Sequence, residues 1–269
     1  MDNLKNNVKT IRNRRAMTTE NARRVKLAGH EAEMEFAELI GGQIYPGTRK
    51  KDVIDKQNNI HSVKSGEKKW QIFLYGRKRF QESIGFLGAP NFLKCIDTFP
   101  EKRENYKANK EKYKLDLQCS MRELKDFLIH KEEKVFLHDN KIIFLEEAIF
   151  HSSEVDYLTI KENIFFHIFD AGEVIKIINN SVTLINSKAS QIGQMDDQKV
   201  IFKLVDKNIT IGEIEMRNDS DIHYRKVKFW MDKEKTTQLL KEKIQPKKQK
   251  GKRVFAYGKA INKFKKIIK

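Results

Sequence analysis

The sequence predicts an α/β fold, a mixed β-sheet flanked by helices. Three observations lead there. Ala28, Ala32, Phe36, Leu39 and Ile40 recur at helical spacing. Three short runs follow that read as strands: Ile44-Tyr45, Asp52-Val53-Ile54 and Ile60-His61-Ser62-Val63-Lys64. Much later, Val200 to Leu204 and Ile209 to Met216 read as a hairpin across Asp206-Lys207-Asn208.

Taken in order, residues 1–26 are polar and basic, with Arg12, Arg14, Arg15, Arg23, Arg24 and Lys26, and read as an arm or a short helix. Gly29 to Ile40 reads as a helix that Gly41-Gly42 stops, because glycine tolerates the left-handed cap. Asp55-Lys56-Gln57-Asn58-Asn59 is turn chemistry between two strands. Trp70 to Tyr75 fits strand or helix, and residues 101–134 are charged with a mostly helical pattern. Val135-Phe136-Leu137 and Ile142-Ile143-Phe144-Leu145 read as a hairpin across His138-Asp139-Asn140-Lys141. Val227 to Met231 adds a strand. The tail from Lys241 is basic, with Lys247, Lys248, Lys250, Lys252 and Arg253 in one run. The change of texture near residue 150 divides the chain into 1–150 and 151–269, with a single domain as the alternative. No repeat of 20–50 residues is visible.

The net charge of +17, from 54 Lys and Arg against 37 Asp and Glu, points to a polyanionic partner, since Lys and Arg displace counterions from phosphates. A lysine-rich compositional bias is the competing explanation. Hydrophobic residues at 39% are enough for a core. Cys95 and Cys119 form no CxxC pair, so zinc and disulfide frameworks are unsupported. The first residues lack an apolar signal-peptide segment, and no run of about 18 apolar residues exists, so the expectation is a cytoplasmic chain without a membrane partner. Phosphate loops of the GxxxxGK[ST] and GxGxxG types are absent.

Three pieces that can carry chemistry fall close together. The first is an acidic helix, Glu31-Ala32-Glu33-Met34-Glu35-Phe36-Ala37-Glu38. The second is Gly47-Thr48-Arg49-Lys50-Lys51-Asp52-Val53-Ile54-Asp55. The third is Ser62-Val63-Lys64-Ser65-Gly66, followed by Trp70-Gln71-Ile72-Phe73-Leu74-Tyr75. Phosphodiester hydrolysis uses a divalent metal to polarise the phosphoryl oxygen and acidify a water. Magnesium takes oxygen ligands and keeps several waters, so one or two carboxylates suffice. A lysine beside it can assist the water and stabilise developing charge. Strand alternation places Ile60, Ser62 and Lys64 on one face and His61 and Val63 on the other.

This arrangement resembles the PD-(D/E)XK nuclease superfamily, which includes most type II restriction enzymes. Asp52 matches the motif's Asp, with Lys51 where Pro is usual. Ser62-Val63-Lys64 matches the tripeptide, with Ser in place of the acid. Some restriction enzymes of the superfamily also carry Ser there and recruit a carboxylate from a helix. The run from Ser62 to Tyr75, with Gln71, is also similar to the D-Y-K-T-G…Q-x-x-x-Y motif of RecB-like nucleases. The likeness spans residues 29–80. It implies a restriction-endonuclease-like core, Mg²⁺ held by Asp52 and Glu35, Lys64 assisting the water, and Ser62 and Gln71 in support. Glu35 is the first choice for the missing acid because it stands three residues after Ala32 and four before Leu39, with Glu31, Asp55 and Glu82 as substitutes. Glu31, Glu33 and Glu38 otherwise read as a solvated helix face. The resemblance implies sequence-specific cleavage of double-stranded DNA by the first part of the chain, with the second part as a recognition half and a homodimer as the working form. A RecB-like repair nuclease and a non-catalytic basic DNA-binding protein are the alternatives.

Two further groups are candidates. Glu213 and Glu215 share a strand face and form a second possible metal centre, following Asp196-Asp197. Arg217, Asn218, Asp219, Asp221, His223 and Arg225 follow that strand and supply donors and acceptors suited to base edges, or else form an ordinary polar loop. Trp70, Phe73 and Tyr75 are assigned to the core, with base stacking as the alternative.

Overall fold

A computed structural model describes residues 18–47, 50–82, 86–132, 138–190 and 194–264. Thr18 starts the first helix by accepting the Asn21 N–H at 3.2 Å, and α1 (Thr19–Ile40) ends at Gly41, whose φ of 61° is left-handed. The helix begins ten residues before the expected Gly29. Its first turns expose Glu20, Arg23, Arg24 and Lys26, and the cap sets where they start. The later turns pack through Ala32, Phe36, Ala37 and Ile40. Next come β1 (Gln43–Ile44), β2 (Val53–Ile54) and β3 (Ile60–Lys64), each antiparallel to the one before. Asp55 shapes the β2–β3 turn by accepting the N–H groups of Gln57 at 2.7 Å and Asn59 at 3.0 Å. Trp70 to Tyr75 belongs to a strand, β4 (Lys69–Tyr75), with Trp70 buried between exposed Lys69 and Gln71.

The middle of the chain is helical: α2 (Arg77–Glu82), α3 (Ala89–Asp97), α4 (Arg103–Ala108) and α5 (Lys110–Ile129), then the short pair β5 (Lys131–Glu132) and β6 (His138–Asp139). Val135-Phe136-Leu137 lies outside the described residues. Its expected partner, Ile142 to Leu145, is not a strand but part of α6 (Asn140–Phe150). Asp139 decides this by accepting the Lys141 and Ile142 N–H groups as an N-cap. Beyond Glu146-Glu147, Ala148, Ile149 and Phe150 are buried too, and a short apolar run such as Ile142 to Leu145 does not by itself separate strand from buried helix.

The second half adds β7 (Tyr157–Glu162), β8 (Phe165–Asp170), α7 (Ala171–Ser181) and β9 (Val182–Asn186), then the expected hairpin β10 (Lys199–Leu204) and β11 (Thr210–Arg217), and β12 (Lys226–Asp232). After α8 (Lys233–Lys243), the basic tail supplies β13 (Lys247–Lys250), β14 (Val254–Tyr257) and α9 (Ala260–Lys263).

Two main sheets result, a mixed one in the order β1-β2-β3-β7-β8-β14-β13 and an antiparallel one in the order β4-β12-β11-β10-β9. Both take strands from either side of residue 150: β3 runs parallel to β7, and β4 pairs with β12. One apolar cluster lies between α1 and the mixed sheet, with Phe36, Ile40, Val53, Val63, Tyr157, Phe166 and Phe264. The larger cluster backs the antiparallel sheet with α3, α5 and α6. There Phe144 meets Phe229 at 5.3 Å and Phe92 at 5.8 Å between ring centroids. Trp70 and Phe73 belong to this core. Among the described residues, no helix is long and apolar enough to cross a membrane.

His167 of β8 ties the tail to the mixed sheet, its Nδ1 lying 3.0 Å from the Tyr257 hydroxyl of β14. Burial pulls its pKa down to about 4, helped by the charge of Lys241 and then Lys247 and opposed by Glu162. An unfolded histidine titrates near 6.5, so between about pH 4 and 6.5 the unfolded chain binds more protons and stability rises with pH. The contribution is complete above 6.5 and is lost as pH falls toward 4. Urea midpoints measured across this window should fall on acidification, and less steeply in His167→Gln. Equal slopes would remove the assignment.

Candidate functional site

The mixed sheet leaves one strand position to be filled by a side chain. β2 begins only at Val53, which pairs with His61, so the β2 ladder does not extend to Val63 on β3. Asp52 Oδ2 takes that N–H at 2.6 Å. The same oxygen accepts the Ser62 hydroxyl at 3.3 Å and the Lys64 ammonium at 3.5 Å. Lys64 Nζ also donates to Ser62 Oγ at 2.5 Å, which the shared strand face permits. Asp52, Ser62 and Lys64 are therefore brought together as the motif spacing implied. Ser62 is fully buried, whereas the side chains of Asp52 and Lys64 keep 16% and 19% exposure and remain reachable.

The helix carboxylate beside them is Glu33, not Glu35. Glu33 stands three, four and seven residues before Phe36, Ala37 and Ile40, the buried stripe, so α1 turns it toward the sheet. Burial raises its pKa, and the Asp52 charge raises it further, while His30 and Lys64 oppose the rise. Glu35 flanks the stripe on the other side. It pairs with Lys161 of β7 at 2.5 Å and with Arg253 just before β14. Those two hydrogen bonds outweigh its burial and hold its pKa below the ordinary carboxylate value. Glu35 is thus a brace between α1 and the mixed sheet. The mistaken choice came from using Ala32 and Leu39 as the markers, whereas Leu39 is only half-buried.

Gln71 does not join the cluster. The chain leaves β3 through Ser65 to Lys68 and enters the antiparallel sheet, where Gln71 lies opposite Trp230 with its side chain exposed. Among the described residues no hydrogen bond or ion pair links it to Asp52, Ser62 or Lys64. Asp55 is occupied by its turn, and burial is outweighed there by hydrogen bonds from His61 and Asn59 that lower its pKa. His61 points to the α1 side, with Nδ1 2.9 Å from Thr159 Oγ1 and its ring 5.0 Å from Phe36. Glu82 pairs with Lys78 on α2. Glu31 lines a polar cleft of about 590 Å³ beside the cluster, with Ala28, Ser65, Glu67, Lys161 and Lys233.

Lys50 is a site residue that motif reading passed over. Its stem is partly exposed, but Nζ is buried and has no hydrogen-bond partner among the described residues. Burial pulls its pKa down to about 7, the Lys64 charge adds to this, Asp52 opposes it, and Arg79 lowers it further. The available signal was its position two residues before Asp52, in a run of cations.

The second candidate centre is a charge ladder. Glu213 and Glu215 share a face as expected, but Lys199 reaches both, at 2.7 and 3.4 Å, and Lys228 reaches Glu215 at 3.7 Å. Asp196 and Asp197 pair elsewhere, with Lys188 and Arg122. The polar loop after β11 is largely committed to internal partners. Arg217 pairs with Asp219. Asn218 donates to the Tyr106 hydroxyl at 2.7 Å, and Arg103 binds Asp221 at 2.7 Å. Arg225 donates to the Ile96 carbonyl and to Asp97. These bonds fasten the loop to α3 and α4. Among the described residues the His223 ring makes no such bond, and burial followed by the Arg217 charge lowers its pKa.

As a magnesium site, the Asp52 cluster offers two carboxylates, Asp52 and Glu33. Among the described residues, no group of three or more His, Cys, Asp or Glu side chains is gathered that could hold a metal ion. Two carboxylates fit magnesium, which keeps several waters, better than a metal needing a full protein shell. Burial and then the Asp52 charge raise the Glu33 pKa, a cost that a bound cation would relieve.

This pair of helix carboxylates predicts opposite stability changes. In metal-free buffer at pH 8, Glu33→Gln should stabilise the fold, because it removes a partly buried charge beside Asp52. Glu35→Gln should cost about 1 kcal/mol, because it weakens two ion pairs. Urea unfolding of both variants checks this, and the reverse order would exchange their roles.

Comparison of the chain with protein-family models, with curated proteins and with solved structures returned no match.

Proposed function

We propose that the chain is a Mg²⁺-dependent endonuclease that hydrolyses phosphodiester bonds of double-stranded DNA at a specific sequence, as a type II restriction enzyme of the SxK form does. The observation that carries the reading is the convergence of the Val63 N–H, Ser62 and Lys64 on one oxygen of Asp52, close enough to Glu33 for the Asp52 charge to raise its pKa. The charge of +17 suits a polyanionic substrate. A cytoplasmic homodimer is the working form that goes with a two-fold symmetric DNA site.

In this reading Asp52 and Glu33 would hold the magnesium. Bound there, the ion would polarise the phosphoryl oxygen and lower the pKa of a water. Lys64 presents an ammonium to the negative charge that builds on the phosphoryl group. Ser62 orients that ammonium, accepting from Lys64 Nζ while donating to Asp52. The Val63 N–H fixes the Asp52 rotamer, so the carboxylate is held in place before substrate arrives. Glu35 supports the site indirectly, by anchoring α1 to β7 and to the segment before β14.

Asp52→Ala and Lys64→Ala should each lower cleavage of plasmid DNA by about a hundredfold or more, with DNA binding changed only a few-fold. Glu33→Gln should raise the Mg²⁺ concentration needed for cleavage and be partly rescued by excess Mg²⁺. Discrete bands support the restriction reading. End-trimming would move the assignment to a RecB-like nuclease, and a mobility shift without cleavage to a non-catalytic DNA-binding protein.

A further inference from the structure

The Lys50 ammonium is the least explained polar group of the described residues. A buried cation with no acceptor is costly, and exchanging it for an apolar side chain of similar length would relieve that cost. Its surroundings make matters worse, not better. Lys64 and Arg79 add positive charge around it, and the only opposing carboxylate among these neighbours, Asp52, already accepts from Val63, Ser62 and Lys64. Arg79 is exposed on α2, with its guanidinium 5.4 Å from the centre of the Tyr75 ring, so its donors are free to turn toward a ligand. A buried, unpaired ammonium that feels two further cations is a group that an anion with several oxygens would satisfy.

We propose that Lys50, Lys64 and Arg79 form a cradle for a phosphoryl group, and that in the substrate complex it holds a backbone phosphate of the DNA strand at the Asp52 cluster. The identity of the anion rests on the nuclease reading; the cradle itself rests on the buried, unpaired Lys50 head. Lys50 donates to a non-bridging oxygen from inside the fold, and Arg79 closes over the phosphate from solvent. The three residues come from the segment before β2, the end of β3 and α2, so substrate binding would draw these elements together.

The test uses the full chain and two probes, inorganic phosphate and a labelled DNA duplex with Ca²⁺ in place of Mg²⁺. Lys50→Met should melt several degrees above the wild type in phosphate-free buffer, because the unpaired buried charge is gone. It should also lose the rise in melting temperature that inorganic phosphate gives the wild type. Its duplex affinity should fall about tenfold, with the salt dependence reduced by about one phosphate. Arg79→Gln, on the surface, should weaken duplex binding several-fold without changing the melting temperature. A Lys50→Met protein that melts lower than the wild type, or that responds to phosphate and duplex as the wild type does, overturns the cradle. Loss of the phosphate response with duplex binding unchanged overturns the assignment to a DNA backbone in favour of free phosphate. Absence of cleavage by the wild type, with the Lys50-dependent phosphate response intact, overturns the nuclease reading and leaves the cradle standing.

Discussion

The hydrogen bond from the Val63 N–H to Asp52 is the contact on which the site depends. A strand without a partner at one position must satisfy its amide somewhere, and here the residue just before β2 supplies a carboxylate in place of a carbonyl. That substitution brings a negative charge to the sheet edge and fixes its position. Ser62 and Lys64 then share the oxygen because their strand face offers them to it. Glu33 arrives from α1, and Lys50 lies just before β2. The charges of the region are organised around a repair of the β-ladder.

The local chemistry was legible because it is local. Asp52 and Lys64 lie on adjacent antiparallel strands joined by a short turn, and strand alternation is enough to orient them. The β10–β11 hairpin was legible for the same reason. Helix α6 was not, since an unbroken apolar run suits a buried helix as well as a strand, and the deciding Asp139 cap sits where a hairpin turn was assumed. β7, β8 and β9 passed without assignment, and β13 and β14 were read only as a basic tail. Their burial depends on partners far along the chain.

Glu33 and Glu35 show where helix arithmetic misled. Two residues apart on a helix, they point to different sides, and Leu39 marks the buried stripe less well than Ala37 does. Ala37 is buried to 6% exposure, whereas Leu39 is half-buried. Small residues at a close helix–sheet contact carry less hydrophobic signal than Leu and can mark the packing face better. Gln71 failed differently. Nothing in a strand's own residues says which of two sheets it will join, and β4 crosses to the second sheet directly after β3.

The brace from Glu35 to Arg253 joins residues 218 apart in the chain. Contacts of such separation carry a loop-closure cost that must be met before they stabilise, which slows folding. The strand that follows Arg253, β14, lies between β8 and β13 and runs parallel to β8. During synthesis, then, α1 and the Asp52 strands emerge early but lack this clamp until residues near 253 leave the ribosome. A chain stalled before that point would carry every residue of the Asp52 cluster, with α1 held by its apolar face and by Lys161 but without the Arg253 bond and without β14 beside β8. Strand order therefore makes a late-synthesised segment part of the support for the first helix.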